Sequence, residues 1–291
     1  MVTERHKQLI KELKLEYDRL KVGKESLLAL LEEAELGELV YNSNAIEDST
    51  LTLKQTEKIL LEQETMMYAS TRELFEAKNL ARVVEYLRDK PDIELDVEAI
   101  LLLHQMLLGG IDDKIAGRLR KQGEYVRVGT HVAPSPEQVQ GLLADLLRTF
   151  EANDDWYFVD NIGYFHVEFE RIHPFMDGNG RIGRVLINAQ LQRAGYPPII
   201  IRNKGKRTEY YPRFDEYQHT NPKTAKNMAK LVARRLIESL HKRIAYLEGR
   251  DIIALSEYAK QINKPLNGLL NAAKRQTISA FIEKGIWKIG V

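Results

Sequence analysis

The chain contains no cysteine and has no excess of charge of either sign. Because none of its 291 residues is cysteine, disulfides, thiolate nucleophiles and cysteine-ligated metal sites are excluded. Its 43 basic and 42 acidic residues give a net charge of +1. The chain as a whole therefore lacks the basic surface that is typical of nucleic-acid binding, although a local basic patch is compatible with this balance.

Long apolar runs are also missing. The N-terminal segment MVTERHKQLIKELKLEYDRLK is charged throughout and has no apolar stretch like that of a signal peptide. No uncharged run reaches the length of a membrane span. We therefore expect a cytoplasmic protein that does not associate with a membrane.

Helical periodicity dominates the rest of the sequence, which is 44% hydrophobic. Apolar residues recur at three- and four-residue steps with charged residues between them. This pattern predicts a mostly α protein with helices in 1–36, 53–64, 71–90, 96–108, 136–150, 158–172, 181–194 and 222–249. The exception is GEYVRVGTHVAPSP (123–136), where short β-type alternation around Gly129 predicts a small hairpin.

The stretch HPFMDGNGRIGR (173–184) buries little apolar surface and carries several chemically active groups. Gly178, Asn179 and Gly180 tolerate the backbone geometry of a tight turn entering a helix, whose first N–H groups lack internal partners and attract anions. Arg181 and Arg184 lie one turn apart and can neutralise phosphate groups. The segment therefore predicts a polyphosphate cradle.

Two further groups in this stretch suggest chemistry as well as binding. Asp177 could ligate Mg²⁺, the usual companion of a nucleotide polyphosphate. His173 could accept a proton from an attacking hydroxyl near neutral pH. Each feature alone is common in ordinary turns and helix starts, but their combination in one short segment indicates a functional site.

The stretch fits the motif HPFxxGNGRxxR of the Fic family at every fixed position. Residues 116–139 resemble the hairpin "flap" region of Fic proteins, and 194–203 resembles the strand-like stretch that follows the motif helix. The resemblance spans roughly 40–245. It implies a mostly α, Fic-fold helical bundle with a small β-hairpin flap.

Fic proteins mostly transfer AMP from ATP to a hydroxyl side chain of a target protein. Carried over to this chain, the resemblance implies that His173 is the base and Asp177 the Mg²⁺ ligand. It also implies that Phe175 anchors the nucleotide-binding loop, and that Tyr211 is similar to an aromatic residue near the adenine. The remaining residues of the implied ATP site are Gly178, Asn179, Gly180, Arg181 and Arg184. The flap, 123–133, would receive an extended segment of the target protein by strand addition.

An inhibitory element is also implied by resemblance. Ser43 to Glu47 fits the family pattern [ST]xxxE, in which the glutamate pairs with the last motif arginine and blocks productive ATP binding. Asp48 stands where Gly or Asn is usual, at a helix end where φ is positive. The alternative without an inhibitory role is that Ser43 caps a helix while Glu47 is solvated. Many self-inhibited relatives are dimers, so a homodimer is one expectation.

These signals divide the chain into three parts. We expect an N-terminal helical region (1–110) with the inhibitory motif at 43–48, and a Fic catalytic core (111–249). The third part (250–291) resembles a small winged helix-turn-helix, with a turn at Asn263–Pro265 and a hairpin around Glu283–Gly285. Residues 251–291 carry six basic and three acidic residues, hence +3, which is modest for DNA binding. The alternative for this part is a packing or dimerisation element.

The same residues are compatible with other activities. The same site could remove AMP from a modified protein, with Glu47 positioning a water. It could also use another nucleotide or a phosphate-bearing donor, because the motif supplies groups that bind phosphates more than groups that select a base. A third interpretation is a DNA-binding regulator that uses nucleotide only as a signal, although such a binding site has no use for His173.

Overall fold

We describe a computed structural model of the chain over residues 1–61, 69–129, 131–153, 155–221 and 223–291. The described part is mostly helical, as predicted. The helices of the first half are α1 (Glu4–Lys21), α2 (Glu25–Ile46), α3 (Leu53–Leu61), α4 (Thr71–Arg88), α5 (Val97–Leu108) and α6 (Pro136–Ala152). Those of the second half are α7 (Phe158–Ile172), α8 (Asn179–Arg193), α9 (Pro212–His219), α10 (Lys226–Leu247), α11 (Leu255–Gln261) and α12 (Leu266–Lys274).

Two small antiparallel sheets complete the fold of the described residues. The strands β1 (Arg127–Val128) and β2 (His131–Val132) form the predicted hairpin, with Gly129 in the turn at φ 58°. The strands β3 (Ile252–Ala254), β4 (Ala280–Glu283) and β5 (Ile286–Gly290) form a sheet in the order β3-β5-β4. No helix among the described residues combines the length and apolar character that crossing a membrane requires.

The predicted N-terminal helix differs from the observed structure in both its continuity and its end. The periodicity of 1–36 is divided between α1 and α2 by a turn at Gly23, where φ is 73°. Helix α2 then continues to Ile46, because its last turns are buried and Ser43 bonds to Arg184 of α8. The prediction from the sequence also lacked α9 and the π-helical turn Lys206–Tyr210 that precedes it. Residues 62–64 of the predicted helix 53–64 and residue 222 of the predicted helix 222–249 lie outside the described residues.

Helices α7 and α8 run through the middle of the molecule and are covered on two sides. One hydrophobic cluster contains residues of α2, α4, α5 and α6. It also includes Phe165 and Phe169 of α7 and Ile182 of α8. A second cluster, formed with α1 and α10, includes Ile162 of α7 and Ile187 of α8. The loop 173–178 between these two helices is therefore anchored at both ends by buried elements.

Helices α7 and α10 approach so closely that one glycine decides their packing. A Cβ on Gly163 would lie 2.7 Å from the backbone nitrogen of Ala229 and 2.8 Å from its Cα. We expect Gly163→Ala to lower the free energy of unfolding by about 1–3 kcal/mol through overpacking. Thermal unfolding followed by circular dichroism checks this against Gly141→Ala, where nothing lies within 4 Å of the added Cβ. The control should be unchanged or slightly more stable, and equal melting temperatures for the two variants would contradict the packing argument.

The C-terminal part packs on the helices before it. The turn expected at Asn263–Pro265 separates α11 from α12, the expected hairpin is present as β4–β5, and β3 is an addition. The hairpin tip is held from two directions, because Lys284 N donates to Glu38 Oε2 at 2.9 Å and Lys284 Nζ pairs with Glu57 at 2.8 Å. The assignment as a winged helix-turn-helix stays a prediction.

Candidate active site

His173 ends α7 in an unusual backbone conformation. Its φ of 50° and ψ of 63° lie in the left-handed region, which is costly for a residue with a Cβ. Its N–H donates to Phe169 O at 2.9 Å, and its carbonyl accepts from Arg120 Nε at 2.8 Å. The backbone is thus held on both sides at the turn between α7 and α8.

Arg120 is a buried residue that the sequence did not single out. Its guanidinium also donates to Pro134 O at 2.9 Å and to Glu124 O at 3.0 Å, while its own N–H donates to Pro174 O at 3.0 Å. Arg120 therefore fixes the base of the hairpin to the His173 turn.

The imidazole of His173 is suited to accept a proton. Burial lowers its pKa to about 4, despite the opposing effect of the Glu170 backbone carbonyl. The ring is therefore neutral at neutral pH. Its Nδ1 lies 3.3 Å from the Glu170 carbonyl oxygen, so a proton on Nδ1 leaves Nε2 as the free acceptor.

The loop after His173 is fixed by packing and by an amide clamp. Phe175 is fully buried and stacks on His104, with ring centroids 3.7 Å apart. The Asn179 side chain accepts from Phe175 N and donates to Phe175 O, both at 2.9 Å. Phe175 and the Asn179 amide thus shape the loop from inside, so neither side chain is available to contact a nucleotide.

His104 supports the same loop from α5 and was also missed by the sequence. Its Nδ1 accepts from Gly117 N at 3.0 Å, which leaves the Nε2 proton to donate to Asp177 O at 3.0 Å. Burial lowers the pKa of His104 to about 4. It is a neutral support of the loop over a wide pH range.

The start of α8 has the geometry predicted for an anion cradle. Gly178, the N-cap, has φ of 81°, which favours glycine. The first backbone hydrogen bond of the helix runs from Ile182 N to Gly178 O. The N–H groups of Asn179, Gly180 and Arg181 precede it and have no intrahelical acceptor, so they carry the positive end of the helix dipole.

Asp177 lies beside this cradle and is paired with two arginines. Arg72 Nη2 contacts one of its oxygens at 2.6 Å, and Arg181 Nη2 contacts the other at 3.1 Å. Although burial works in the opposite direction, these guanidiniums and the Gly178 N–H lower the pKa of Asp177. The carboxylate is therefore ionised, as a metal ligand must be. Arg181 itself is buried and also pairs with Glu76 at 3.1 Å.

A single carboxylate suits Mg²⁺ only if a polyphosphate supplies further ligands. No group of three or more His, Cys, Asp or Glu residues suitable for a metal occurs in the described part of the chain. Mg²⁺ is commonly bound through one or two carboxylates together with substrate phosphates. The half-exposed carboxylate of Asp177, next to the cradle, fits that donor set.

Arg184 reaches from α8 to the end of α2. Its Nε donates to Ser43 Oγ at 3.0 Å, and its Nη2 donates to Ser43 O at 2.9 Å. Its Nη1 lies 3.4 Å from the hydroxyl of Tyr210, another buried residue that the sequence missed. Ser43 is buried in the last turn of α2. The alternative in which Ser43 caps the start of a helix is therefore wrong.

Glu47 completes the contacts of Arg184. Its Oε1 accepts from Arg184 Nη2 at 2.8 Å. The same oxygen lies so close to Gly180 that a Cβ there would clash with it. The Glu47 carboxylate thus stands at the N-terminal turn of α8, where the cradle would hold an anion.

The residue after Glu47 is fixed by contacts that the sequence did not predict. Asp48 has φ of 65°, as expected for this position, and its carboxylate pairs with Lys206 Nζ at 2.6 Å. Lys206 Nζ also donates to Ala45 O at 3.0 Å and to Ile46 O at 3.2 Å. These three contacts hold the end of α2 against the π-helical turn.

Tyr211 contacts the same helix end. Its hydroxyl donates to Ile46 O at 2.7 Å, and about a third of the residue is exposed. Burial, followed by the nearby Glu47, raises the pKa of Tyr211 to about 12. Its ring remains at the edge of the site, so its predicted position near an adenine stays a prediction.

The fold thus brings together the motif loop, the start of α8 and the segment 43–48. Residues 94–191 match the Fic/DOC family. This Fic/DOC segment contains the whole motif, whereas segment 43–48 lies before it.

Comparisons with individual proteins agree with the match. The chain is 37% identical over 180 residues to protein adenylyltransferase Fic of Drosophila persimilis, an alignment covering 59% of this chain and 34% of the relative. The chain therefore spans about a third of the length of the curated relatives that it matches.

Solved structures extend the likeness beyond the Fic/DOC segment. A Fic domain-containing signaling protein from Bacteroides thetaiotaomicron is similar with a TM-score of 0.74 and 27% identity, over 84% of this chain and 98% of that one. A Fic family protein from Desulfovibrio desulfuricans has a TM-score of 0.63 over 100% of this chain and 97% of that one. At 20% identity, that second likeness shows the shared fold alone.

Proposed function

We propose that this protein transfers AMP from ATP to a hydroxyl side chain of a target protein, and that Glu47 holds it in an inactive state. The observation that carries the proposal is the Glu47 carboxylate at the cradle, paired with Arg184 at 2.8 Å. A carboxylate there mimics the charge that a nucleotide phosphate would bring. The names of the curated relatives support the choice of reaction.

In the proposed reaction the target oxygen attacks the α-phosphorus of ATP. A new oxygen–phosphorus bond forms, the bond to the pyrophosphate leaving group breaks, and the proton of the hydroxyl passes to His173 Nε2. The N–H groups at the start of α8 and the Arg184 guanidinium would hold phosphate oxygens where charge accumulates. Asp177 would hold Mg²⁺, which neutralises phosphate charge when it is bound.

The target would be presented by the hairpin. Tyr125, Val128 and Val132 are exposed side chains at or beside its two short strands. Main-chain hydrogen bonds position an extended segment that pairs with such an edge. These bonds discriminate only weakly between target sequences. Thr130, within the predicted flap, lies outside the described residues.

The proposed inhibition makes Lys206 a latch for the helix end that carries Glu47. Lys206→Met removes a cation from that helix terminus together with its bonds to two carbonyls, which destabilises the inhibited state by about 1–2 kcal/mol. The population of the released state should therefore rise by roughly 5- to 30-fold. We expect AMP transfer to rise by that factor, but less than after loss of Glu47 itself. Because Asp48 is 85% exposed, its ion pair contributes little of this.

Transfer of radiolabelled AMP, measured at subsaturating ATP, checks the latch. The matched control is Lys204→Met, at an exposed lysine two residues before Lys206, which should behave like the wild type. A Lys206→Met protein that folds normally and shows no gain over this control would contradict the latch.

The C-terminal part is proposed to be a packing element. Its hairpin tip contacts Glu38 and Glu57, as described above, and Arg202 donates to Ile282 O at 3.1 Å. A tip held in this way is not free to enter a DNA groove. A salt-dependent shift of duplex DNA by the full chain would reverse this assignment.

A further inference from the structure

Glu170 is a buried acid next to the proposed base, and the reaction as written gives it no role. It lies in the last turn of α7, and its side chain is 14% exposed. Its Oε1 is buried and has no hydrogen-bond partner among the described residues. A buried carboxyl oxygen without a partner costs stability, so its presence calls for an explanation.

The fold leaves space for this carboxyl through one glycine. A Cβ on Gly183 would lie 2.7 Å from Glu170 Oε1 and 3.0 Å from His166 Cε1. Gly183 falls at a variable position of the motif, so the motif does not account for it. The absent side chain allows Glu170 to pack directly on α8, behind the imidazole.

The distance to His173 indicates what the carboxyl can do. Glu170 Oε2 lies 3.8 Å from His173 Nδ1, and the Glu170 carbonyl oxygen lies 3.3 Å from the same nitrogen. One residue thus faces Nδ1 with two acceptors, and Nε2 remains free for the proton of the target hydroxyl.

We propose that Glu170 is a positioning residue that stabilises the imidazolium form of His173 during AMP transfer, an inference that rests on the proposed function. As the target oxygen bonds to the α-phosphorus and pyrophosphate leaves, Nε2 takes the hydroxyl proton. The Nδ1–H then donates to the Glu170 carboxylate, and no proton leaves Nδ1. The acid therefore opposes the low basicity that burial imposes on the ring.

The charge on Glu170 depends on its surroundings. Burial, followed by repulsion from Glu47, raises its pKa to about 8, whereas Arg184 acts to lower it. Below this pKa the carboxyl is neutral and cannot stabilise an imidazolium; above it the carboxylate can. The ionisable or charged groups that face it are His166 on α7, His173 just after it, Arg184 on α8, Glu47 just after α2, and Tyr210 and Tyr211 at the end of the π-helical turn.

The first arm of the test needs no catalysis. In the wild-type protein labelled with ¹⁵N-histidine, the His173 signals are assigned by their loss in His173→Asn. We expect them to move as the pH passes about 8, the pKa of Glu170, and to stay fixed in Glu170→Gln. Movement in both proteins, or in neither, would overturn the inference.

The second arm measures transfer with Glu47→Gly as the parent, where loss of a like charge places the Glu170 pKa below its wild-type value. Adding Glu170→Gln should leave the rate unchanged at low pH and reduce it by roughly tenfold or more at high pH, within the range known for acid–base groups. The KM for ATP should change by less than about twofold. A loss that is the same at every pH indicates a merely structural role and overturns the inference. If the Glu47→Gly parent transfers no AMP, the proposed function fails, and the NMR titration alone decides the contact between Glu170 and His173.

Discussion

Glu47→Gly should raise AMP transfer on the order of 10²-fold, the effect that one preorganised charge-stabilising group has at a phosphoryl or acyl centre. The substitution removes the carboxylate that pairs with Arg184 at 2.8 Å and lies against Gly180. Arg184 and the first N–H groups of α8 then become available to the phosphates. Self-labelling with ATP tagged on the α-phosphate, followed by intact mass, measures the gain directly.

Two control variants separate release of inhibition from damage to α2. Glu33→Gly makes the same change at an exposed position within α2, the helix that Glu47 follows, and should leave transfer at the wild-type level. Glu47→Gln keeps the size of the side chain without its charge and should give an intermediate gain. Equal labelling of the wild type and Glu47→Gly would sink the inhibitory role of Glu47.

The same experiment distinguishes the reverse activity. If Glu47 positions a water that removes AMP, Glu47→Gly loses that activity on a modified protein. Parallel reactions with CTP, GTP and UTP test the alternative nucleotide donors, because the groups that face the cradle read phosphates and not a base.

His173→Ala, placed in the Glu47→Gly protein, should reduce transfer by roughly 10²- to 10⁴-fold, the range for loss of a general base. The neutral imidazole, with its pKa lowered to about 4, would no longer receive the hydroxyl proton. ATP affinity should change little, because the cradle is built by α8. Rate and affinity are measured separately by single-turnover labelling and by calorimetry.

The left-handed backbone of His173 requires a second variant. His173→Asn tolerates positive φ better than alanine does and also lacks the base. Both variants should be equally inactive, whereas exposed His219→Ala should keep full activity. Labelling that survives in His173→Asn would show that the backbone, and not the imidazole, is what the reaction needs.

The parts of the site that the sequence predicted depend on local chemistry. Glycine at positive φ, a free helix N-terminus and arginines one turn apart follow from spacing within 173–184. The buried supports do not, because their partners are distant in sequence. His104 lies 73 residues from Asp177, and Arg120 lies 53 residues from His173.

The predicted end of the N-terminal helix at residue 36 was wrong for a related reason. Apolar periodicity fades after residue 36, yet α2 continues to Ile46 because Asn42, Ser43 and Asn44 are buried as polar residues against α8 and its neighbours. Polar burial leaves no periodic signal. Segment 43–48 was therefore recognised by resemblance, while its place at the end of a long helix required the structure.

The two bonds from Arg184 to Ser43 bear on the kinetics of release. Ser43 precedes Glu47 by one helical turn, so Glu47 can leave while Arg184 remains tethered at Ser43. Release then requires only the opening of one helical turn and the loss of its contacts with Lys206 and Tyr211, a local opening that occurs within about a second or less. Turnover should therefore begin without a lag after ATP is added. Under the proposed function, the protein would behave as an equilibrium between two states of one helix end, so AMP transfer would be graded by ATP concentration rather than switched by a slow rearrangement of domains.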